Sequence, residues 1–255
     1  MTSVAFIVPA HGRLELSLVC LRQLRRTCDT LEANDVAASA VVVADDENLD
    51  IAADLEFATV RRENAPLGRK WNDGYQLACD PTWNPHPVDY AIPFGSDDWI
   101  DPELILRQVD SHGCELRCSR LSAIVNENAT RICRLRVSYP GRLDFGDGVR
   151  VIPSWLLETV GYRPAEEDAR RAIDTSVFRR IEQRLARPPR CLFNDLHPFQ
   201  IVDWKTAGEQ LNPYAACTAT FGYGPEADPF EALAGVYPAD ALDEMRALQR
   251  GLVAA

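Results

Sequence analysis

The chain has 255 residues, 38 of them acidic and 27 of them Lys or Arg, for a net charge of -11. That length is enough for one full hydrophobic core, and the acidic field opposes general binding to nucleic acid or anionic membrane, although a local basic face can still receive an anionic acceptor. No run of about 18 apolar residues offers a membrane span, and the chain enters a strand pattern at once without a basic leader, so the expected location is the cytosol.

Val4-Ala-Phe-Ile-Val-Pro9 is a continuous apolar run of strand length, suited to a strand covered on both faces. From Leu14 to Cys28, apolar residues recur at helical spacing, with Arg22, Arg25 and Arg26 left for the wet side. A second strand, Ser39 to Ala44, ends in Asp45-Asp46-Glu47-Asn48, and a third spans Phe57 to Arg61 after a short helical piece. Leu67, Trp71, Tyr75 and Cys79 predict a helix with one apolar stripe. A Pro-rich loop leads to the strand Asp89 to Phe94, and Asp101 then Pro102 mark the start of the next helix. Alternating strands and helices predict an α/β fold with a mainly parallel central sheet.

The second half is less regular. Leu121 to Val125 and Ile132 to Val137 read as antiparallel additions to the sheet, and Gly141 to Gly148 as a turn-rich loop. Ile152 to Val160 reads as a short helix capped near Ser154, and Val177, Phe178, Ile181 and Leu185 mark another helix, stopped by Pro188 and Pro189. Thr206 to Pro229 reads mostly as loop, followed by a last helix from about Asp240 to Leu252.

Eight cysteines without a Cys-x-x-Cys pair fit reduced thiols. His112, Cys114, Cys118 and Cys133 form a cluster whose spacing matches no usual zinc framework.

Three strand ends converge on one rim: Pro9 to Arg13 after the first strand, Asp45 to Asn48 after the second, and Gly95 to Trp99 after the Asp89 strand. The carboxyl edge of such a sheet is where ligands bind. Asp97 and Asp98 are adjacent hard oxygen donors, suited to a magnesium or manganese ion that carries a diphosphate. Asp45 or Asp46 can accept hydrogen bonds from a base or ribose, and Arg61, Arg62, Arg69, Lys70 and the amino end of the Gly68 helix can add positive character near phosphate. For Asp98 and Asp101 the competing role is capping the next helix.

The order of these motifs resembles glycosyltransferases with the A-type fold, most of all the large inverting family that uses nucleotide-diphosphate sugars. The resemblance rests on Val4 to Arg13, Val41-Val-Val-Ala-Asp-Asp46, Asn64-Ala-Pro-Leu-Gly-Arg-Lys-Trp-Asn72 and Phe94-Gly-Ser-Asp-Asp-Trp-Ile-Asp-Pro102, spread over about the first 110 residues. It implies a single Rossmann-like domain: residues 1-115 bind the nucleotide sugar, 116-230 form the acceptor half with mixed and helical structure, and 231-255 make a helical extension. It further implies a donor-binding set of Pro9, Ala10, His11, Arg13, Asp45, Asp46, Gly68, Lys70, Asn72, Ser96 and Asp97, with Asp45 at the base and Asp97 as metal ligand.

Gly95 stands where the first carboxylate of the family's Asp-x-Asp motif often lies, which leaves the metal to Asp97 alone or with Asp98. His197 is a further candidate ligand, or else a loop residue beside Pro198. The acidic motif that carries the family's base matches best at Ala172-Ile-Asp-Thr-Ser-Val-Phe-Arg179, making Asp174 the candidate; Glu166, Glu167 and Asp168 compete, and an N-cap is Asp174's alternative role.

The implied activity is metal-dependent transfer of a sugar from a UDP- or GDP-linked donor to an acceptor hydroxyl, with inversion and with Mn2+ or Mg2+ as cofactor. Two rivals stand beside it: a noncatalytic module that binds sugar or nucleotide, and a sugar nucleotidyltransferase, for which the loop Ala10 to Arg13 is short. Without a membrane span or a Gln-x-x-Arg-Trp motif, a processive polysaccharide synthase is disfavoured.

Overall fold

The computed structural model describes residues 1-111, 115-136, 151-169, 173-205 and 213-253, excluding the side chains of residues 173-175 and 252-253. Five successive buried residues, Val4 to Val8, make β1 (Thr2–Pro9) a strand covered on both faces. It is followed by α1 (Leu14–Glu32), β2 (Val36–Ala44), α2 (Asn48–Asp54), β3 (Ala58–Arg61), α3 (Leu67–Cys79) and β4 (Tyr90–Pro93). β1 pairs in parallel with both β2 and β4, and β2 with β3. The connecting helices cover the two faces. Leu21, Leu24, Cys28 and Leu31 of α1 pack with Phe6 and Val42, whereas Tyr75, Ala78 and Cys79 of α3 pack with Ile7 and Val43. Gly74 allows α3 to lie close on β1, since a Cβ there would overlap the Ile7 side chain.

After β4 the chain forms β5 (Asp98–Ile100), a strand that the sequence pattern hides inside what reads as a loop. α4 (Pro102–Val109) follows, with Asp101 accepting a hydrogen bond from Glu103 N at 3.0 Å, as its sequence signal predicts. Next come β6 (Leu116–Cys118), β7 (Leu121–Val125), β8 (Ile132–Arg136), β9 (Ile152–Pro153), α5 (Ser154–Glu158) and α6 (Ile173–Leu185). β9 extends the central sheet antiparallel to β4, giving the order β3-β2-β1-β4-β9. This corrects the expected helix start at Ile152: Ile152 and Pro153 are sheet residues. Ser154 is the first helical residue rather than a cap, and its N–H donates to Asp89 O at 2.8 Å.

β10 (Cys191–Phe193) pairs with β6, and β11 (Ile201–Trp204) lies between β5 and β7. The expected additions β7 and β8 are antiparallel to each other, but they join a second sheet, β12-β8-β7-β11-β5, rather than the central one. The region read as loop after Lys205 contains α7 (Tyr214–Phe221), β12 (Gly222–Ala227) and α8 (Pro229–Leu233). α7 has no apolar stripe to betray it, and it is seated through buried Tyr214, which packs with Ile124, Cys133 and Leu135. β12 tolerates Gly224 and Pro225 because it is an edge strand with an irregular register. α9 (Ala239–Val253) lays Ala241, Leu242 and Met245 against Leu16, Val19 and Cys20 of α1 in a core that also contains Trp99 and Trp204.

The described cysteines form no disulfide. His112 and Cys114 lie outside the described residues, and Cys118 and Cys133 are buried thiols. No described helix is long and apolar enough to cross a membrane.

Glu115, at the entry to β6, accepts two hydrogen bonds from Arg187, one of them at 2.9 Å, and one from Arg190 N at 2.7 Å. The Arg187 guanidinium holds the Glu115 carboxyl at about 2, below its ordinary 4.5, in spite of burial. The depressed value means that this ionised carboxylate stabilises the fold fully above the unfolded pKa and loses the contribution as pH falls towards about 2. Urea midpoints of E115Q and wild type are therefore expected to differ most at neutral pH and to converge in acid.

Candidate functional site

The loop after β1 is built from both sides. Gly12 and Arg13 both have left-handed backbones, with φ of 58° and 47°. Asp46 Oδ2 accepts from Gly12 N at 2.6 Å, and Asn48 Nδ2 donates to Gly12 O at 3.2 Å and to Asp46 Oδ1 at 2.7 Å. Asp46 thus fastens two rim loops together. Asp45 sits at 3.2 Å from His11 Nδ1 and accepts from Asn64 N at 3.1 Å. Both carboxyls lie below the ordinary value: some desolvation opposes this, but hydrogen bonds from His11 and Asn64 at Asp45, and from Gly12 and Asn48 at Asp46, outweigh it. Pro9 and Ala10 complete the loop, with Ala10 N bonded to Val43 O at 3.0 Å.

Lys70 is fully buried and donates to Ala10 O at 2.6 Å and Asn64 Oδ1 at 3.2 Å. Burial lowers its pKa although Asp45 and Asp46 act in the other direction. Its place is under the loop, as a brace. Asn72 clamps Ala165 through both backbone groups, at 3.0 and 2.9 Å. Gly68 N donates to Ala169 O at 2.9 Å, and a Cβ on Gly68 would overlap the Glu166 carbonyl. The amino end of α3, expected to face phosphate, is therefore covered by the acidic segment of Glu166, Glu167 and Asp168. The other basic residues considered for phosphate are also engaged: Arg61 with Asp45 O, Arg62 with Asp73, and Arg69 with Asp168.

Glu166 N donates to Ser176 Oγ at 3.3 Å, which sets that exposed segment beside the first turn of α6. Asp174 lies in this turn, and its side chain is outside the described residues. The structure thus brings the competing base candidates into one neighbourhood along the chain without choosing between them.

The acidic tip is decided by strand pairing. β5 and β11 are antiparallel with Asp98 opposite Asp203, Trp99 opposite Val202 and Ile100 opposite Ile201, and Trp204 N fixes Asp97 O at 2.9 Å. Trp99 packs on Trp204 and Tyr237 at centroid distances of 5.1 and 5.2 Å, which anchors the pairing in apolar material. One carboxylate oxygen each from Asp97, Asp98 and Asp203 lies within 4.8 Å of the others.

Gly95 explains how the incomplete motif is filled. Its N–H donates to Asp98 Oδ2 at 2.9 Å, and a Cβ at position 95 would stand 2.6 Å from that same oxygen and 2.9 Å from Asp97 Oδ1. Asp98 folds back into the room that a side chain at position 95 would take. It is neither the cap of α4, a role held by Asp101, nor a solvated loop residue.

Two cations flank the triad. Arg13 donates to Asp97 Oδ2 at 2.7 Å and reaches Ser96 Oγ at 3.4 Å, while Lys205 Nζ is 2.5 Å from Asp203 Oδ2. Burial works against charge on Arg13 and Lys205, yet Asp97 and Asp203 respectively more than offset it, and both pKa values are raised. Removal from water, then the charges of Asp203 and Asp97, push the Asp98 carboxyl well above 3.8, despite Lys205 and the Gly95 N–H. Three clustered hard oxygen donors fit a divalent cation.

Sequence reading missed Asp203 and Lys205. The alternation Ile201-Val-Asp-Trp204 was the available signal for a strand, but nothing local pairs it with β5. His197 joins no such cluster among the described residues: its Nε2 is 2.9 Å from Asp101 Oδ2, and its Nδ1 accepts from Phe199 N at 3.2 Å. Release of Asp101 would be needed before it ligated an ion.

No protein-family model matches the chain, and no curated protein sequence matches it. Among solved structures, glucosyl-3-phosphoglycerate synthase from Mycobacterium tuberculosis, in complex with Mn2+, UDP and phosphoglyceric acid, aligns over 93% of this chain and 80% of its own, at 13% identity and a TM-score of 0.50. A Drosophila β-1,4-galactosyltransferase 7 mutant in complex with manganese, UDP-Gal and xylobiose aligns over 78% of this chain and 68% of its own, at 15% identity and a TM-score of 0.42. The inositol-1-phosphate CTP transferase of T. maritima aligns over 81% and 90%, at 14% identity and a TM-score of 0.40. The first likeness shows the fold, an A-type glycosyltransferase fold of Rossmann-like α/β build.

Two outcomes follow from the geometry. In cation-free buffer, Asp98 keeps its proton in the folded protein to higher pH than in the unfolded chain, so stability falls as pH rises above 3.8 through the raised value. The D98N variant is expected to lose most of this slope in thermal unfolding, and added Mn2+ to restore the wild type at neutral pH. The G68A variant is expected to lose about 2 kcal/mol of stability in chemical denaturation, the usual range for a Cβ forced against backbone.

Proposed function

We propose that the chain transfers a sugar from a nucleotide-diphosphate donor, UDP- or GDP-linked, to an acceptor hydroxyl with inversion, using Mn2+ or Mg2+, in the cytosol. The observation that carries this reading is the gathering of Asp97, Asp98 and Asp203 at the carboxyl rim of an A-type glycosyltransferase fold, beside the loop of His11 and Arg13. The three carboxylates would hold the ion. When bound, a divalent cation supplies Lewis-acid neutralisation of the charge that builds on a leaving diphosphate.

The remaining work falls to protein groups. His11 and Asp45 border the base and ribose, on a loop that Lys70, Asp46 and Asn48 keep in one shape. Residues 1-115 contribute most of the donor site and residues 116-230 the acceptor side. Asp174 takes the proton from the acceptor hydroxyl as it attacks from the face opposite the leaving group, with Glu166, Glu167 and Asp168 as the alternatives. Holding both substrates in line adds the advantage of effective concentration.

Release of nucleoside diphosphate from a panel of UDP- and GDP-sugars, with Mn2+ and a broad acceptor set, tests the reading. Turnover is expected in the wild type and is expected to fall about 100-fold or more in D97N and D203N. D174N is expected to bind the nucleotide as the wild type does while turning over about 100-fold more slowly. Tight binding with no turnover anywhere in the panel would instead identify a noncatalytic binding module, and sugar-nucleotide synthesis from a nucleoside triphosphate and a sugar phosphate would identify a nucleotidyltransferase.

A further inference from the structure

Arg13 breaks three local rules at once. It stands at the N-cap of the 19-residue helix α1, where Ser, Thr, Asp or Asn would satisfy free amides, and it makes no side-chain cap bond there. Its positive charge sits at the positive end of the helix dipole. Its backbone is left-handed, with φ 47° and ψ 40°, a region that a long side chain adopts only when its surroundings impose it. The imposing groups are Asp46 and Asn48, which grip Gly12 on both its N–H and its carbonyl. What this arrangement delivers is a guanidinium at 2.7 Å from Asp97 and 3.4 Å from Ser96 Oγ.

We infer that Arg13 is an internal counter-ion that a divalent cation displaces from Asp97, and that the freed guanidinium then binds the diphosphate of the donor, so that cation and nucleotide bind as a coupled pair. The inference rests on the reading of the triad as a cation site. Asp97 is the carboxylate shared between the triad and Arg13, and an oxygen held by a guanidinium is not fully free to ligate a metal. The planar fork of Arg suits phosphate as well as carboxylate, which makes the exchange of partners chemically even. Lys205 is the other cation at the triad, but it is nine-tenths buried and bonded to Asp203. The Arg13 side chain is 35% exposed and projects from the rim loop itself, so it has somewhere to turn.

The two halves of this exchange have opposite signs, and calorimetry on the full chain separates them. R13Q is expected to bind Mn2+ alone about threefold or more tightly than wild type, because its competitor is gone, and to bind UDP in the presence of Mn2+ about tenfold or more weakly. R13K keeps the charge without the fork: Mn2+ affinity is expected to stay near wild type while UDP affinity falls. Unchanged or weaker Mn2+ binding by R13Q, or unchanged UDP binding, overturns the exchange. If R13Q does not fold, wild-type UDP affinity in R13K overturns it. A wild-type chain that binds both ligands while R13Q shows no crossed effect sinks this inference alone; a wild-type chain that binds neither sinks the cation-site reading and this inference with it.

Discussion

The crowding of Asp97, Asp98 and Asp203, whose like charges help push the Asp98 carboxyl above its ordinary value, is the constraint on which the rim depends. Like charges placed opposite each other across an antiparallel pair destabilise it, and β5 with β11 does this at Asp98 and Asp203. The pairing survives because its neighbours compensate. Trp99, Trp204, Tyr237 and Phe230 form the apolar base beneath it, Arg13 and Lys205 supply positive charge at its two sides, and Asp98 is driven towards its protonated form. A site that stores unfavourable charge in this way has a ready use for a divalent ion.

The two sheets divide the labour. The central sheet ends its parallel strands in the loops that carry His11, Asp45 and Asp46, while the second sheet brings Asp203 and Lys205 to the same rim through β11. Helix α3 links the rim loops to the acidic segment by contacts on different sides: Lys70 holds Ala10 and Asn64, and Gly68 and Asn72 hold residues 165–169. The amino terminus of α3 therefore brackets the segment around Glu166, and Lys70 and Asn72 of its motif are buried with their polar groups on the backbone of Ala10 and Ala165.

Places where local rules fail are informative here. An arginine at a helix N-cap with a left-handed backbone, a glycine in place of an expected carboxylate, and a buried lysine whose pKa is lowered each contradict the simplest local choice. Arg13 and Lys70 are explained by contacts with distant segments, Asp97 and Ala10, and Gly95 by the Asp98 carboxylate that folds back over it; all three lie at one rim. Consistency across levels is the habit of folded sequences, and its local breakdown marks functional sites.

The amino-acid sequence by itself determined the alternating α/β order of the first 110 residues, the rim carrying Arg13, Asp45 and Asp97, and the cap at Asp101, because apolar periodicity and capping chemistry are local. It left the second half poorly resolved. α7 has no apolar stripe and β12 contains Gly and Pro, so both resemble loop until a neighbouring strand is present to pair with them. Only the tertiary structure decided that Asp98 folds into the space above Gly95, that Asp203 completes the triad from about 100 residues away, and that Gly68, Lys70 and Asn72 brace loops. Those facts depend on strand register and on which backbone groups meet across the fold, and neither is encoded in the spacing of residues along one segment.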